Sequence, residues 1–359
     1  MEAKSSSEHD LTEEQLNDEV DAIEKVIDAM LFYEKHASIL FRRHLKALKA
    51  MSVEDKRILA PILQAHVNKA LVCAKANQHF LEQIVNAGSD LFGNSLSFKK
   101  AYEKMGGNSL ISEHYMSKAQ STLKQIVRDW SKDGEEERRT SYDRCMRAIR
   151  ARYPNTVGPK QNQHFNSRVC GNEFSFFMIL TSNYMLNCCQ EVEEFTIYPY
   201  LLEFSNVWSY EDALKPVKFP DSVASSSFNK NRPNNFSMCA GDFVGVYGSQ
   251  SEVFDCVATV FFLDTAKNPI EYMRIIYKIL KPGGSWICYG PLTYHFENED
   301  DCSLELPFDE ICKIAAQIGF NIECVEGKDV NPSSTYTGNP NSMLKYLYHS
   351  GFIECTKPF

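Results

Sequence analysis

Three acidic residues stand where strand-like runs end, and that placement is what could do chemistry. The run Phe254-Asp255-Cys256-Val257-Ala258-Thr259-Val260-Phe261-Phe262 is almost continuously apolar and delivers Asp264 just beyond its carboxyl end. Such a run suits a central parallel strand, and open α/β sheets bind ligands outside the carboxyl ends of their strands. In Cys170-Gly171-Asn172-Glu173, an acid closes a second strand-like run. A carboxylate in that position can hold the two hydroxyls of a ribose. In Phe236-Ser237-Met238-Cys239-Ala240-Gly241-Asp242-Phe243, a third run ends in Gly-Asp-aromatic. That ending can set a carboxylate beside an adenine amine and a ring against the base. Each acid also has an ordinary reading, as the cap or first-turn acid of the helix that follows.

These residues need a frame of strands and helices to carry them. After Pro154 short β-branched runs alternate with helical stretches. The strands are expected at Ser167–Gly171, Phe236–Cys239, Phe254–Phe262, Gly284–Tyr289, Phe320–Val325, Leu344–Tyr348 and Phe352–Thr356. Helices are expected at Phe174–Glu191, Pro269–Leu280 and Phe308–Ile318. This alternation predicts an α/β fold, a largely parallel sheet with helices on both faces. Before it, the chain reads as helical. Leu16, Val20, Ile23, Val26, Ile27, Met30 and Leu31 recur at three- and four-residue steps, within one helical stretch from Leu11 to about Met51. Thr12 with Gln15 forms a capping-box pattern. Further helices are expected over Val53–Ala87, with Pro61 in its first turns, and over Ser112–Ser131 and Glu135–Tyr153. Gly88, Gly93, Gly106 and Gly107 mark loops, and Asp221–Asn235, rich in Ser, Asn and Pro, reads as a surface loop. The expected organisation is a disordered stretch at 1–10, an all-helical domain at 11–153 and a sheet domain at 154–359.

Composition narrows the function. The formal net charge of −9 disfavours nucleic acid and anionic membranes as partners. The 12 cysteines form no C-x-x-C pair, which argues against a zinc site or a disulfide framework. No apolar run approaches the roughly 20 residues that span a bilayer. The first residues, Met1-Glu2-Ala3-Lys4-Ser5, lack the apolar core of a signal peptide. The expected compartment is the cytoplasm, with or without the nucleus.

The turn Leu280-Lys281-Pro282-Gly283-Gly284, between a helix and a strand, closely resembles the one before the fifth strand of class I methyltransferases. Longer strings are more specific. Gly171-Asn172-Glu173-Phe174-Ser175-Phe176-Phe177-Met178 resembles the carnosine N-methyltransferase family, and so does Gly290-Pro291-Leu292-Thr293-Tyr294-His295-Phe296-Glu297. Phe204-Ser205-Asn206, Asn235-Phe236-Ser237-Met238, Phe262-Leu263-Asp264-Thr265-Ala266 and Lys124-Gln125-Ile126-Val127-Arg128-Asp129-Trp130 match as well. The resemblance implies a class I methyltransferase (Rossmann-like) sheet domain behind an all-helical N-terminal domain. It implies S-adenosyl-L-methionine as methyl donor, the imidazole of carnosine or a related histidine-containing dipeptide as acceptor, anserine as product, and a homodimer. It places Gln125 and Arg128, three apart on one helical face, at the cofactor's methionine end. Glu173 falls on the ribose, Asp242 and Phe243 on the adenosyl group, and Cys256 along the same site. Asp264, His295, Tyr336 and Tyr348 surround the acceptor imidazole. Asp264 would fix the tautomer, His295 would be a second polar contact or proton acceptor, and the two tyrosines would stabilise the developing cation.

One part of the family pattern is missing. A hydrophobic strand and a loop of the form apolar-x-P-G-x-G-x-G-R should precede Glu173 by about 20 residues. The stretch Thr156-Val157-Gly158-Pro159-Lys160-Gln161-Asn162-Gln163-His164-Phe165-Asn166-Ser167-Arg168-Val169 is polar and has one glycine. The sheet is therefore expected to be incomplete at its first strand, leaving neighbouring edges unpaired. A splice form, an inaccurate gene model and a divergent variant all account for this. Two functional alternatives stay open: an impaired or non-catalytic relative acting as an interaction module, and a histidine methyltransferase acting on peptides or proteins.

Overall fold

A computed structural model describes residues 12–91, 100–101, 103, 111–154, 169–224, 236–298, 302–327, 329–330 and 332–359. The first helices are α1 (Glu13–Leu31), α2 (Tyr33–Ala47), α3 (Val53–Leu91), α4 (Glu113–Trp130) and α5 (Glu135–Arg152). The capping box starts α1: Thr12 N–H donates to Gln15 Oε1 at 2.9 Å and Gln15 N–H to Thr12 Oγ1 at 3.2 Å. The single helix expected over 11–51 is two, interrupted at Phe32. Gly88 lies inside α3 rather than in a loop. Gly93, Gly106, Gly107, the polar stretch at 1–10 and most of the expected loop at 221–235 lie outside the described residues.

The apolar stripe of α1 is buried through Val20, Ile23, Ile27 and Met30, against Val67, Ala74, Leu81 and Ile84 of α3 and Leu123 and Ile126 of α4. This core is not confined to the expected helical domain. It takes in Phe177, Leu180 and Met185 of α6 (Phe176–Asn187), Ile197 of β2 (Phe195–Ile197), and Val217 and Phe219 of β3 (Val217–Phe219). Meanwhile α5, assigned from sequence to the helical domain, packs on the sheet. The 153/154 boundary in sequence is thus crossed by packing in both directions.

The remaining elements are β1 (Val169–Glu173), the short helices α7 (Tyr210–Ala213) and α8 (Phe243–Tyr247), β4 (Phe236–Ala240), β5 (Phe254–Val260), α9 (Pro269–Ile279), β6 (Leu280–Gly290), α10 (Phe308–Ile318), β7 (Asn321–Glu326) and β8 (Gly351–Thr356). No strand forms at Leu344–Tyr348. Met343 to Leu347 are exposed, so there is no face to bury, and only a single bridge pairs Tyr348 with Ser334. β1 pairs with β4 in parallel, and β5 with β6 in parallel; β8 lies antiparallel between β6 and β7. The strand orders are β4-β1, β2-β3 and β5-β6-β8-β7, with β2 antiparallel to β3. The carboxyl ends of β1 and β5 meet near Arg128, which acts electrostatically on Glu173 and lies over Tyr336, itself stacked on Phe261 just after β5.

Among the described residues, no strand joins the second edge of β1 to that of β5. The break falls where the family pattern expects the first, central strand. A central parallel strand is normally covered on both faces, yet Ala258 of β5 is exposed and Val169 of β1 is 58% exposed. The larger sheet is otherwise well covered. Ile287, Tyr289 and Phe352 meet Cys145 and Ala148 of α5 on one face. Trp286, Ile353 and Cys355 meet Met273 and Ile276 of α9 and Ile311 of α10 on the other.

Arg144 fixes α5 to the sheet. Its Nε and Nη2 donate to Glu326 Oε2 and Oε1 at 2.7 and 2.8 Å, and its guanidinium lies 3.5 Å from the centre of the Phe352 ring. Arg144→Ala strands a poorly hydrated carboxylate and removes a ring contact, so a loss of about 3 kcal/mol is expected; urea denaturation measures it. Arg144 also holds the Glu326 carboxyl below its ordinary 4.5. The pair's contribution is therefore in place above pH about 4.5 and is lost as pH falls through the folded-state value. In Glu326→Gln this part of the acid dependence should vanish.

Candidate active site

The site is built at the carboxyl end of β5. Phe261 follows the strand with φ at 52°, a conformation a bulky residue rarely adopts. Its N–H donates to Tyr289 O at 2.8 Å. Gly290 permits this close approach, because a Cβ there would lie 3.0 Å from Phe261 N and 3.1 Å from its Cα. The turn sends the chain into a 3₁₀ segment, Leu263–Thr265, that presents Asp264.

Asp264 is 3% exposed. Its Oδ2 accepts from Thr293 N–H at 2.9 Å and from Thr293 Oγ1 at 2.8 Å, and its carbonyl accepts from His295 N–H at 3.0 Å. Asp264 is not the cap of the next helix. That role belongs to Asn268, whose side chain accepts from Ile270 and Glu271 N–H. The segment carrying Thr293 and His295 is thus tied to Asp264 at three points, with the His295 residue itself exposed.

Three rings stand beside it. Tyr336 stacks on Phe261 with centroids 4.9 Å apart and planes at 15°. Tyr348 meets both edge-on, at 6.2 and 6.1 Å. Burial pushes the Tyr348 phenol upward, with Tyr336 and Asp264 adding to the effect. That dependence puts the carboxylate within electrostatic range of Tyr348. Phe261 is the member sequence reasoning missed. Nothing in an apolar run distinguishes a residue that continues a strand from one that turns out of it; Gly290, 29 residues on, is the only hint.

Arg128 joins this group from α4. Its guanidinium carbon lies 4.9 Å from the Tyr336 centroid. Nε and Nη2 donate to Asp129 at 2.8 and 2.7 Å, and Tyr142 of α5 donates to the same carboxylate at 2.9 Å. Burial opposes charge on Arg128, and Asp129 more than offsets it. Two of the five guanidinium donors are thereby used. Gln125, one turn earlier, is half-buried.

The other expected cofactor residues are less simply placed. Glu173 closes β1, and its Oε1 accepts from Phe174 and Ser175 N–H at 2.9 and 2.8 Å, holding the turn into α6. Burial pushes its carboxyl up, against the pull of those amides and of Arg128. Asp242 is exposed and caps α8, accepting from Gly245 N–H at 2.9 Å. The Phe243 ring is buried among Tyr247, Phe262 and Tyr272, so it is held by core packing. Cys256 is the clear departure. It sits near the amino end of β5, four residues or about 13 Å before the carboxyl end, and packs under α5 with its thiol pushed up to about 12 by burial. The structure does not bring it to Asp264. No group of three His, Cys, Asp or Glu among the described residues is arranged to hold a metal, and no described helix is long and apolar enough to cross a membrane.

Acids beyond the carboxyl ends of the parallel strands β1, β4 and β5, with Asp264 buried, are the arrangement expected of a class I methyltransferase. The family model for carnosine N-methyltransferase matches residues 108–358. Its members include proteins called carnosine N-methyltransferase from Mus musculus, 37% identical over 93% of this chain and 85% of that protein, and from Schizosaccharomyces pombe, 31% identical over 94% and 96%. A Drosophila melanogaster relative, carnosine N-methyltransferase unmet, is 32% identical over 94% of this chain and 79% of its own length. The chain belongs to the carnosine N-methyltransferase family.

Proposed function

We propose that the protein transfers a methyl group from S-adenosyl-L-methionine to an imidazole nitrogen of carnosine, giving anserine. The observation that carries this reading is the buried Asp264 carboxylate, fixed by Thr293 beside the Phe261, Tyr336 and Tyr348 rings. Neutral imidazole has one N–H and one lone pair. Both Thr293 bonds to the Asp264 carboxylate fall on Oδ2, so Oδ1 is the oxygen suited to accept the imidazole N–H. That contact fixes the tautomer and aims the other nitrogen away from the carboxylate. The product is an imidazolium whose one N–H is the proton held at Asp264 Oδ1; the carboxylate takes that proton, and His295, tied by its backbone to Asp264, is the candidate to receive it next. The rings stabilise the positive charge while it lasts.

The donor set fits the cofactor at both ends. Glu173 is a desolvated acid of the kind that holds ribose hydroxyls, and Arg128 is a buried cation with donors beyond those given to Asp129. Gln125, Asp242 and Phe243 complete the expected set. When bound, S-adenosyl-L-methionine supplies an electrophilic methyl on a sulfonium, and the protein supplies position and electrostatics. Mass spectrometry of carnosine incubated with enzyme and cofactor tests the proposal. Methyl incorporation into carnosine is expected; incorporation only into histidine-containing peptides would reassign the acceptor.

Among the described residues no strand pairs the second edges of β1 and β5, which favours a second reading, a family member impaired in cofactor binding. Calorimetric titration with S-adenosyl-L-methionine separates the two. Saturable heat supports the enzyme, and its absence supports the impaired form. A homodimer in the cytoplasm, with or without the nucleus, completes the proposal, to be checked by light scattering and imaging of a tagged chain.

A further inference from the structure

Phe204-Ser205-Asn206 is a family string that no catalytic role absorbs. It opens a strap, Phe204–Asp212, between β2 and β3. Two aromatic side chains, Phe204 and Tyr210, seat the strap on the helical core. Phe204 meets His44 at 4.5 Å and Phe41 at 5.4 Å, and Tyr210 stacks on His66 at 3.7 Å with planes at 14°. Just before it, Glu203 pairs with Lys124 of α4, the neighbour of Gln125.

The other side of the strap grips the loop that carries the acceptor-side tyrosines. Asn206 O accepts from Met343 N–H at 2.8 Å and from Ser342 Oγ at 3.2 Å. Val207 bridges Ser342, and Asp212 Oδ1 accepts from Asn341 Nδ2 at 2.6 Å. The loop is closed on itself by the Ser334–Tyr348 pair, at 3.0 and 2.9 Å, and held to α5 where Thr337 N–H donates to Glu137 at 2.7 Å. Its exposed middle forms no strand, so these bonds, together with the Phe261 stack and the Arg128 contact, are what place Tyr336 and Tyr348. Asn206 reaches its own bonds through a left-handed backbone, φ 57°, which asparagine and glycine tolerate and β-branched residues resist.

The geometry points to Asn206 as a positioning residue for the acceptor-side tyrosines. Its backbone conformation sets the carbonyl that holds residues 342–343, and through them the Tyr336–Tyr348 wall. The inference rests on the proposed acceptor site but is tested first without substrate. Asn206→Val should raise amide exchange at Met343 and Tyr348 about tenfold, and Asn206→Gly, which keeps the left-handed turn, should not. In steady-state kinetics Asn206→Val should raise the KM for carnosine about tenfold, with kcat and cofactor affinity within about twofold and with recovery in Asn206→Gly. Unchanged exchange in Asn206→Val overturns the inference. So does loss of protection with an unchanged carnosine KM, or an equal defect in the glycine variant. If the unmutated chain methylates no carnosine, the proposed function falls, and exchange at Met343 and Tyr348 alone decides whether Asn206 holds the loop.

Discussion

Asp264→Asn is expected to lower turnover by about 100-fold or more while S-adenosyl-L-methionine binding persists. The amide is nearly isosteric, and one orientation keeps an oxygen toward the two Thr293 donors. That orientation turns the NH₂ toward the acceptor, where it meets the imidazole N–H donor to donor. Reversal would satisfy the imidazole and leave the Thr293 donors facing an amide. Either way the preferred tautomer is lost, and losses of 10²–10⁴ are typical when a positioned acid or base is removed. Single-turnover kinetics beside cofactor titration checks both halves of the expectation. Unchanged turnover would remove Asp264 from the mechanism.

The second large effect concerns the break in the sheet. Replacing residues 156–168 by an apolar strand, a G-x-G-x-G loop and a crossover helix leading into β1 should raise the melting temperature by about 5 °C or more. It should also tighten S-adenosyl-L-methionine binding roughly tenfold or more. A strand between β1 and β5 would pair two parallel edges at once and cover Ala258 and Val169, which are exposed. The glycine loop would bring backbone N–H groups close to the ligand. Differential scanning calorimetry with and without cofactor reads both quantities. Insertion with no gain in either would show that the gap is not a strand site.

Much of this molecule was legible from residue order. Periodicity and turn residues placed α3, α4, α5, α9 and α10 to within a few residues, and the start of α1 through its capping box, but not the break at Phe32 that ends α1. The strand ends that carry Glu173, Asp242 and Asp264 fell where expected. What the sequence hid was mostly three-dimensional. Leu344–Tyr348 has strand-like composition but no partner to lie against. Cys256 shares a strand with the site yet belongs to its far end, a distinction spacing alone does not make. Glu173 and Asp242 serve local turns, as any acid at a strand end can, and the structure shows those bonds alongside the positions that suit a cofactor. Phe261 was invisible because its importance lies in a backbone angle.

The core shared between α3 and the segment containing β2 and β3 has a consequence in time. Phe80 packs against Phe195 at 5.2 Å and Phe219 at 4.8 Å. During synthesis α3 is complete long before either ring exists. At roughly 5–20 residues per second, more than a hundred residues must follow, so the helical half waits on the order of ten seconds for its last interior side chains. Over that interval Phe80, Leu81 and Ile84 have only α1, α2 and α4 to cover them. A ribosome-stalled nascent chain ending before Phe195 should therefore be open to protease where one extended past Phe219 is closed.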